Sequence, residues 1–171
     1  MRNGKGGEMT AEQAYQRLTA LCARSEHCQH DMLEKMRQWG LAEAEQAQVM
    51  ERLTRERYVD DERFCRAFVS DKVRQNKWGR RKVEQALWLK HIDSDTAKGV
   101  LDEIDADTYI GTLRPLLRQR RRTMRGLNDY EQRTKLVKWA LSRGFTMDVI
   151  RECIDTSDVD ADDSDTVTDD Y

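Results

Sequence analysis

The sequence predicts an all-α fold made of three tandem three-helix modules, and three observations carry that prediction. One Pro and nine Gly in 171 residues leave few helix breakers, while Glu, Gln, Arg, Leu and Ala, all good helix formers, are frequent. Hydrophobic residues are 38% and charged residues 36% of the chain, too little apolar material for one large core and enough for several small stacked ones. The chain also resembles itself at a period of about fifty residues, the length of a helical repeat unit.

The repeat aligns on three helix-ending pairs, Gly40-Leu41, His91-Ile92 and Gly144-Phe145, spaced 51 and 53 residues apart. Eight positions before each anchor stand Met32, Val83 and Leu136, and four before it Met36, Leu87 and Ala140. After it come Val49-Met50, Val100-Leu101 and Cys153-Ile154. Spacings of four and eight place these residues on one helix face.

In the first module, apolar spacing predicts helices over 11–24, 29–39 and 43–57. In the second it predicts 62–76, 80–90 and 95–104. There Asp60 and Asp61 stand as caps for the opening helix, and Phe64, Cys65, Phe68, Val69 and Val73 form its apolar stripe. Trp78, before Gly79, is spaced to staple onto Val83 across the next helix start. The third module is expected at 107–124, 130–142 and 147–154. Pro115 should kink or restart its first helix, and Asp129 with Gln132 suits a capping box. The expected organisation is a flexible segment at 1–9, modules at 10–57, 58–105 and 106–155, and a disordered acidic tail at 156–171.

The formal net charge of −2 hides an asymmetry, since eight Asp and no Lys or Arg follow from Asp155 onward. Taking those eight from 32 acidic residues leaves 24 against 30 Lys and Arg, a formal +6 for the rest. A basic body suits an anionic partner, with the tail either competing for the same surface or only aiding solubility. No apolar run approaches a membrane span and residues 1–10 lack a signal-peptide core. Cys22, Cys28, Cys65 and Cys153 read as free thiols, which suits a cytoplasmic protein. Cys22, His27, Cys28 and His30 are the right chemical types for zinc at a poor spacing. The preferred reading is Cys22 in the core, Cys28 at a helix start and both His exposed. No phosphate loop, nucleophile triad or carboxylate pair appears, so no catalytic residue, metal or cofactor is expected.

Two runs are distinctive: YVDDERFCRAFVSDK from Tyr58, with its Asp60-Asp61-x-Arg63-Phe64 element, and WGRRKVEQALWLKHI from Trp78, with Trp78-Gly79-x-Arg81. Together they resemble the central module of the RecX family, regulators of the bacterial recombinase RecA. ARSEHCQHDMLEKMRQWGL and TKLVKWALSRGFTMDVI are similar to that family's opening and closing modules, so the resemblance covers about residues 11–154. It implies an elongated, curved repeat arrangement that binds the groove of the RecA–DNA filament, with DNA inside the filament as a further contact. ATP turnover, strand exchange and repressor co-cleavage would then be suppressed, without a catalytic residue or cofactor. The expected protein is a cytoplasmic monomer. Three positions depart from the family's pattern: Arg80 stands where Pro is usual, His91 where Gly is common and Cys28 where a Ser cap is usual. Cys28 should leave its helix start weakly capped.

Arg80, Arg81 and Lys82 occupy the first turn of a helix, where cations oppose the macrodipole by about 0.3–1 kcal/mol. An acidic partner would offset that cost, and Arg74 and Lys77 would extend the patch. Arg114, Arg118, Arg120, Arg121, Arg122 and Arg125 form the densest basic run, largely one helix face by spacing, suited to carboxylates and phosphates alike. The alternative for both clusters is a solvated face. Trp39 and Trp139 read as core, and Trp88 as exposed or wedged between modules. A second functional reading is a helical protein that binds DNA directly, without RecA.

Overall fold

The computed structural model describes residues 7–157, and within them the chain is all helical. The expectations for residues 1–6 and for the acidic segment after Ser157 lie outside the described residues. In chain order the elements are α1 (Ala11–Cys22), α2 (Gln29–Gln38), α3 (Glu43–Arg55), α4 (Asp61–Arg74), α5 (Arg80–Leu89), α6 (Ser94–Asp102), α7 (Ala106–Arg122), α8 (Asp129–Ser142) and α9 (Met147–Ser157). Starts agree with the sequence reading to within one residue. Ends differ by up to three, as expected where helices fray; α9 runs three residues past its expected end at Ile154.

The repeat survives as packing. All fifteen apolar positions that align across the three segments are buried, from Met32, Val83 and Leu136 to Cys153 and Ile154. The three anchors share one backbone state as well: Gly40, His91 and Gly144 have φ of 77°, 55° and 89°. Each ends the middle helix of its repeat in the left-handed conformation that closes a helix and turns the chain.

Compactness follows two units. Residues up to Phe68 together with Leu87–Val100 form the first, and Val69–Ala86 with the residues from Leu101 form the second. The division passes through α4 and α5, so each of those helices contributes to both units. In the first unit α3 packs on α1 and α2, around Ala14, Leu18, Met32, Met36, Leu53 and their neighbours. In the second, α7, α8 and α9 pack on one another, burying Leu113, Leu117, Leu136, Ala140, Phe145 and Ile150. Full burial of a Leu, Ile, Met or Phe side chain is worth about 1.5–3 kcal/mol.

Two local expectations are corrected. Pro115 lies within α7 and does not restart it: one helix continues from Ala106 to Arg122. The carbonyl it orphans belongs to Gly111, and both residues are exposed, so water can take the place of the missing N–H and no side chain at 111 crowds the ring. The capping box of α8 is built by Asn128 and Glu131 rather than Asp129 and Gln132. The helix opens one residue earlier, and Gln132 instead donates its amide to the carbonyls of Met124 and Leu127.

Candidate functional site

The second helix of a repeat begins against a neighbouring helix end in each unit, and these junctions place the distinctive residues. In the first unit Asp60 accepts from the Arg63 N–H at 3.0 Å, capping α4 at its third residue. Asp61 does something else: its Oδ1 accepts the backbone N–H of Gln29 at 2.8 Å. Gln29 opens α2, whose own cap residue, Cys28, makes no side-chain cap bond. The weak cap foreseen at Cys28 is therefore compensated through space. Burial, with smaller contributions from Asp60 and Asp31, holds the Asp61 carboxyl above its ordinary value, although the Gln29 N–H pulls it down.

The same α2 start meets the end of α5. Cys28 Sγ lies 4.0 Å from the Lys90 carbonyl, Lys90 Nζ pairs with Asp31 at 2.8 Å, and the His30 and His91 rings stack with centroids 4.0 Å apart. His27 and His30 are thus half-buried rather than exposed. Burial pushes the Cys28 thiol up to about 11, which disfavours the thiolate that zinc requires. Among the described residues no three His, Cys, Asp or Glu side chains gather as a metal site.

The second unit repeats this seat with other chemistry. Gly79 and Arg143 occupy the repeat positions of Cys28 and Lys90, and here the Gly79 N–H donates to the Arg143 carbonyl at 2.8 Å. Next to it the Arg81 N–H donates to the Gly144 carbonyl at 2.9 Å. Two of the otherwise orphaned amides at the start of α5 are satisfied by the end of α8. The approach is backbone on backbone: a Cβ on Gly79 would stand 2.2 Å from the Gly144 carbonyl carbon, and one on Gly144 would stand 2.4 Å from Lys82 Cβ. Only glycine fits at either place.

Arginines also close the turns that precede α4 and α5. Arg57 and Lys77 both have positive φ, 62° and 56°, an uncommon state for residues with a Cβ. Arg63 Nη2 donates to the Arg57 carbonyl at 3.1 Å, and its Nε pairs with Glu26 at 2.7 Å. Arg143 Nη2 donates to the Asn76 carbonyl at 3.0 Å and reaches the Lys77 carbonyl at 3.5 Å. The sequence reading named Arg63 within a motif and missed Arg143, whose only signal was its position beside the anchor Gly144.

The predicted basic residues divide by environment. Arg80 is half-buried, bonds Asp102 at 2.6 Å and lines a cavity of about 150 Å³ with Ile104, Tyr109, Phe145 and Val149. Lys82 lies 4.5 Å above the Trp78 ring, which Lys72 also approaches at 5.1 Å. Arg81 is exposed at its side chain, as are Arg74 and Lys77. On α7 the buried stripe is Tyr109, Leu113 and Leu117. At about 100° per residue, Arg114, Arg118 and Arg121 share one flank of that stripe. Arg122 points away from it, and Arg120 continues the line of the stripe beyond Leu117, 4.6 Å over the Trp139 ring. Arg125 is beyond the helix end at Arg122, so spacing along α7 does not place it with the others. Trp139 is not core as expected; it is half-buried between Arg120 and Arg143, the latter at 5.5 Å. Trp39 is half-buried against the first unit's core. Trp88 is 72% exposed, beside Leu89 at 60%. No described helix is long and apolar enough to cross a membrane.

Two models of one family match the chain: RecX, second three-helix domain, over residues 60–101, and RecX, third three-helix domain, over 107–154. A regulatory protein RecX from Acinetobacter baylyi is 26% identical over 137 residues, 79% of this chain and 82% of its own length. One from Chlorobium limicola is 27% identical over 145 residues, 84% and 87% of the two chains. The crystal structure of RecX from Lactobacillus salivarius superposes with a TM-score of 0.81 at 15% identity, covering 87% of this chain and 97% of that one. At that identity the superposition speaks for the fold, a helical repeat.

Proposed function

Because this chain belongs to the RecX family of regulatory proteins, we propose that it binds the nucleoprotein filament of RecA and restrains its ATPase, strand-exchange and repressor co-cleavage activities. The observation that supports this most is the pair of family matches at 60–101 and 107–154, which include both candidate basic clusters. The proposal keeps modules at 10–57, 58–105 and 106–155, a monomeric cytoplasmic protein and no catalytic role. Within it, Arg81, Arg74 and Lys77 near the start of α5 and Arg114, Arg118, Arg121 and Arg122 on α7 are the contacts to acidic filament surface or to filament DNA. Arg80, Lys82 and Arg120 serve the fold as much as a partner, since each already engages Asp102, Trp78 or Trp139.

The test is the DNA-dependent ATPase of RecA with this protein added substoichiometrically. Lower turnover with shortened or fewer filaments is expected; unchanged turnover and unchanged filament length would count against the reading.

A second reading, direct DNA binding without RecA, draws on the three-arginine flank of α7. It predicts affinity for bare duplex whose logarithm falls by about 0.9 per neutralised phosphate with log salt. Binding that requires RecA and depends weakly on salt would exclude it.

A further inference from the structure

The arginine flank of α7 lies where the chain's acidic segment emerges. The register of α9 against α7 can be followed residue by residue. Phe145, Thr146 and Val149 share a cavity wall with Ala106 and Tyr109, and one turn further on Cys153 Sγ lies 3.7 Å from the Ile110 carbonyl. The positive field of Arg114 reaches the same thiol, opposing the burial that raises its pKa. The two helices therefore run in the same direction, with α9 on the Arg114 side of α7. Continuing that register from Cys153 beside Ile110, Ser157 at the end of α9 comes level with about Arg114, the first arginine of the flank, with Arg118 and Arg121 one to two turns further along α7. Residues 158–171 then follow with seven Asp and no Lys or Arg.

We propose that the α7 face bearing Arg114, Arg118, Arg121 and Arg122 is a docking surface for the chain's own acidic segment, residues 158–171, which competes there with an anionic partner. The occupant is chosen by charge complementarity and by tether. From Arg114 to Arg122 the face is about 12 Å long at 1.5 Å per helical residue, a span that about four extended residues cover. A segment joined at the end of α9 meets the face at an effective concentration on the order of millimolar. Arg forks hold carboxylates and phosphates by the same geometry, so the segment and a filament or nucleic-acid surface exclude one another. The regulatory consequence rests on the filament reading above; the contact itself does not.

The experiment compares the full chain with a full-length variant in which the seven Asp of residues 158–171 are each changed Asp→Asn. The readout is arginine-selective modification by phenylglyoxal at low salt, resolved by peptide mass spectrometry. Arg118, Arg121 and Arg122 should react at least about threefold faster in the variant, the difference vanishing near 1 M salt, where screening acts within about 3 Å. Exposed Arg24 in the first unit is the internal control. Equal rates in the two proteins, or an equal change at Arg24, would overturn the docking site. Both proteins are then titrated into the RecA ATPase, where the variant should inhibit at lower concentration. Protection of the α7 arginines with no effect of either protein on RecA would sink the filament reading and leave the docking site standing. Equal inhibition with equal modification rates would do the reverse.

Discussion

Asp61 and Gln29, thirty-two residues apart, are joined by a 2.8 Å hydrogen bond from the Gln29 N–H to the Asp61 carboxylate. An acidic pair that reads as the cap of one helix is divided between two: Asp60 serves α4 and Asp61 serves α2.

That division gives Asp61 a defined pH signature. Its folded pKa is raised, so its contribution to stability is full below the ordinary value near 3.8 and is lost as pH rises through the folded value. Asp61→Asn keeps the acceptor without the charge. Its stability relative to the parent should therefore improve across that window and level off above it. Asp61→Ala, which removes the cap, should cost about 1 kcal/mol. Urea denaturation at pH values from about 3 to about 7 reads both; an Asn variant as damaged as the Ala variant would contradict the capping role.

Gly79→Ala should be among the most damaging single-methyl changes in the chain. The added carbon meets backbone rather than a movable side chain, and overpacking of this kind costs about 1–3 kcal/mol or more. Gly99→Ala in α6, where nothing lies within 4 Å, should instead stabilise by about 0.5–1 kcal/mol. Thermal melts of the two variants should move in opposite directions.

Lys77→Gly separates a structural cost from a binding role. Lys77 holds a φ of 56°, a state that costs a non-glycine residue about 1–2 kcal/mol. Replacing it by glycine should stabilise the fold by about 1 kcal/mol while weakening filament binding. Unchanged binding would remove Lys77 from the candidate surface.

Arg81→Glu and Lys82→Glu should behave differently although they are neighbours. The Arg81 side chain is exposed and only its backbone N–H is used by the Gly144 carbonyl, so the first change should leave the melt within about 0.5 kcal/mol and weaken filament binding. Lys82→Glu withdraws an ammonium from the Trp78 face, an interaction worth about 0.5–1 kcal/mol at such a site. It should lower stability as well. Paired melting and filament co-sedimentation distinguish them, and identical profiles would contradict the assignment.

Helix starts, the repeat and the buried positions were legible in the sequence because each is written in local spacing. A residue four or eight places from an anchor lies on the same helix face whatever the tertiary context. The three anchors even reveal their backbone state, since two of them are glycine. Partners across space were not legible. Asp61 satisfies Gln29, the Arg143 guanidinium satisfies the turn at Asn76 and Lys77, and Trp139 lies beneath two guanidinium groups. None of these pairings follows from spacing along the chain.

The sequence by itself determined a helical repeat, its apolar faces and its clusters of arginine, because helix periodicity and charge are properties of neighbours in the chain. The tertiary structure decided which helix each cap serves, why positions 79 and 144 admit only glycine, and which arginines are occupied by the fold. Those outcomes depend on where two helix ends meet, and close approach in space between residues tens of positions apart leaves no periodic trace in the chain.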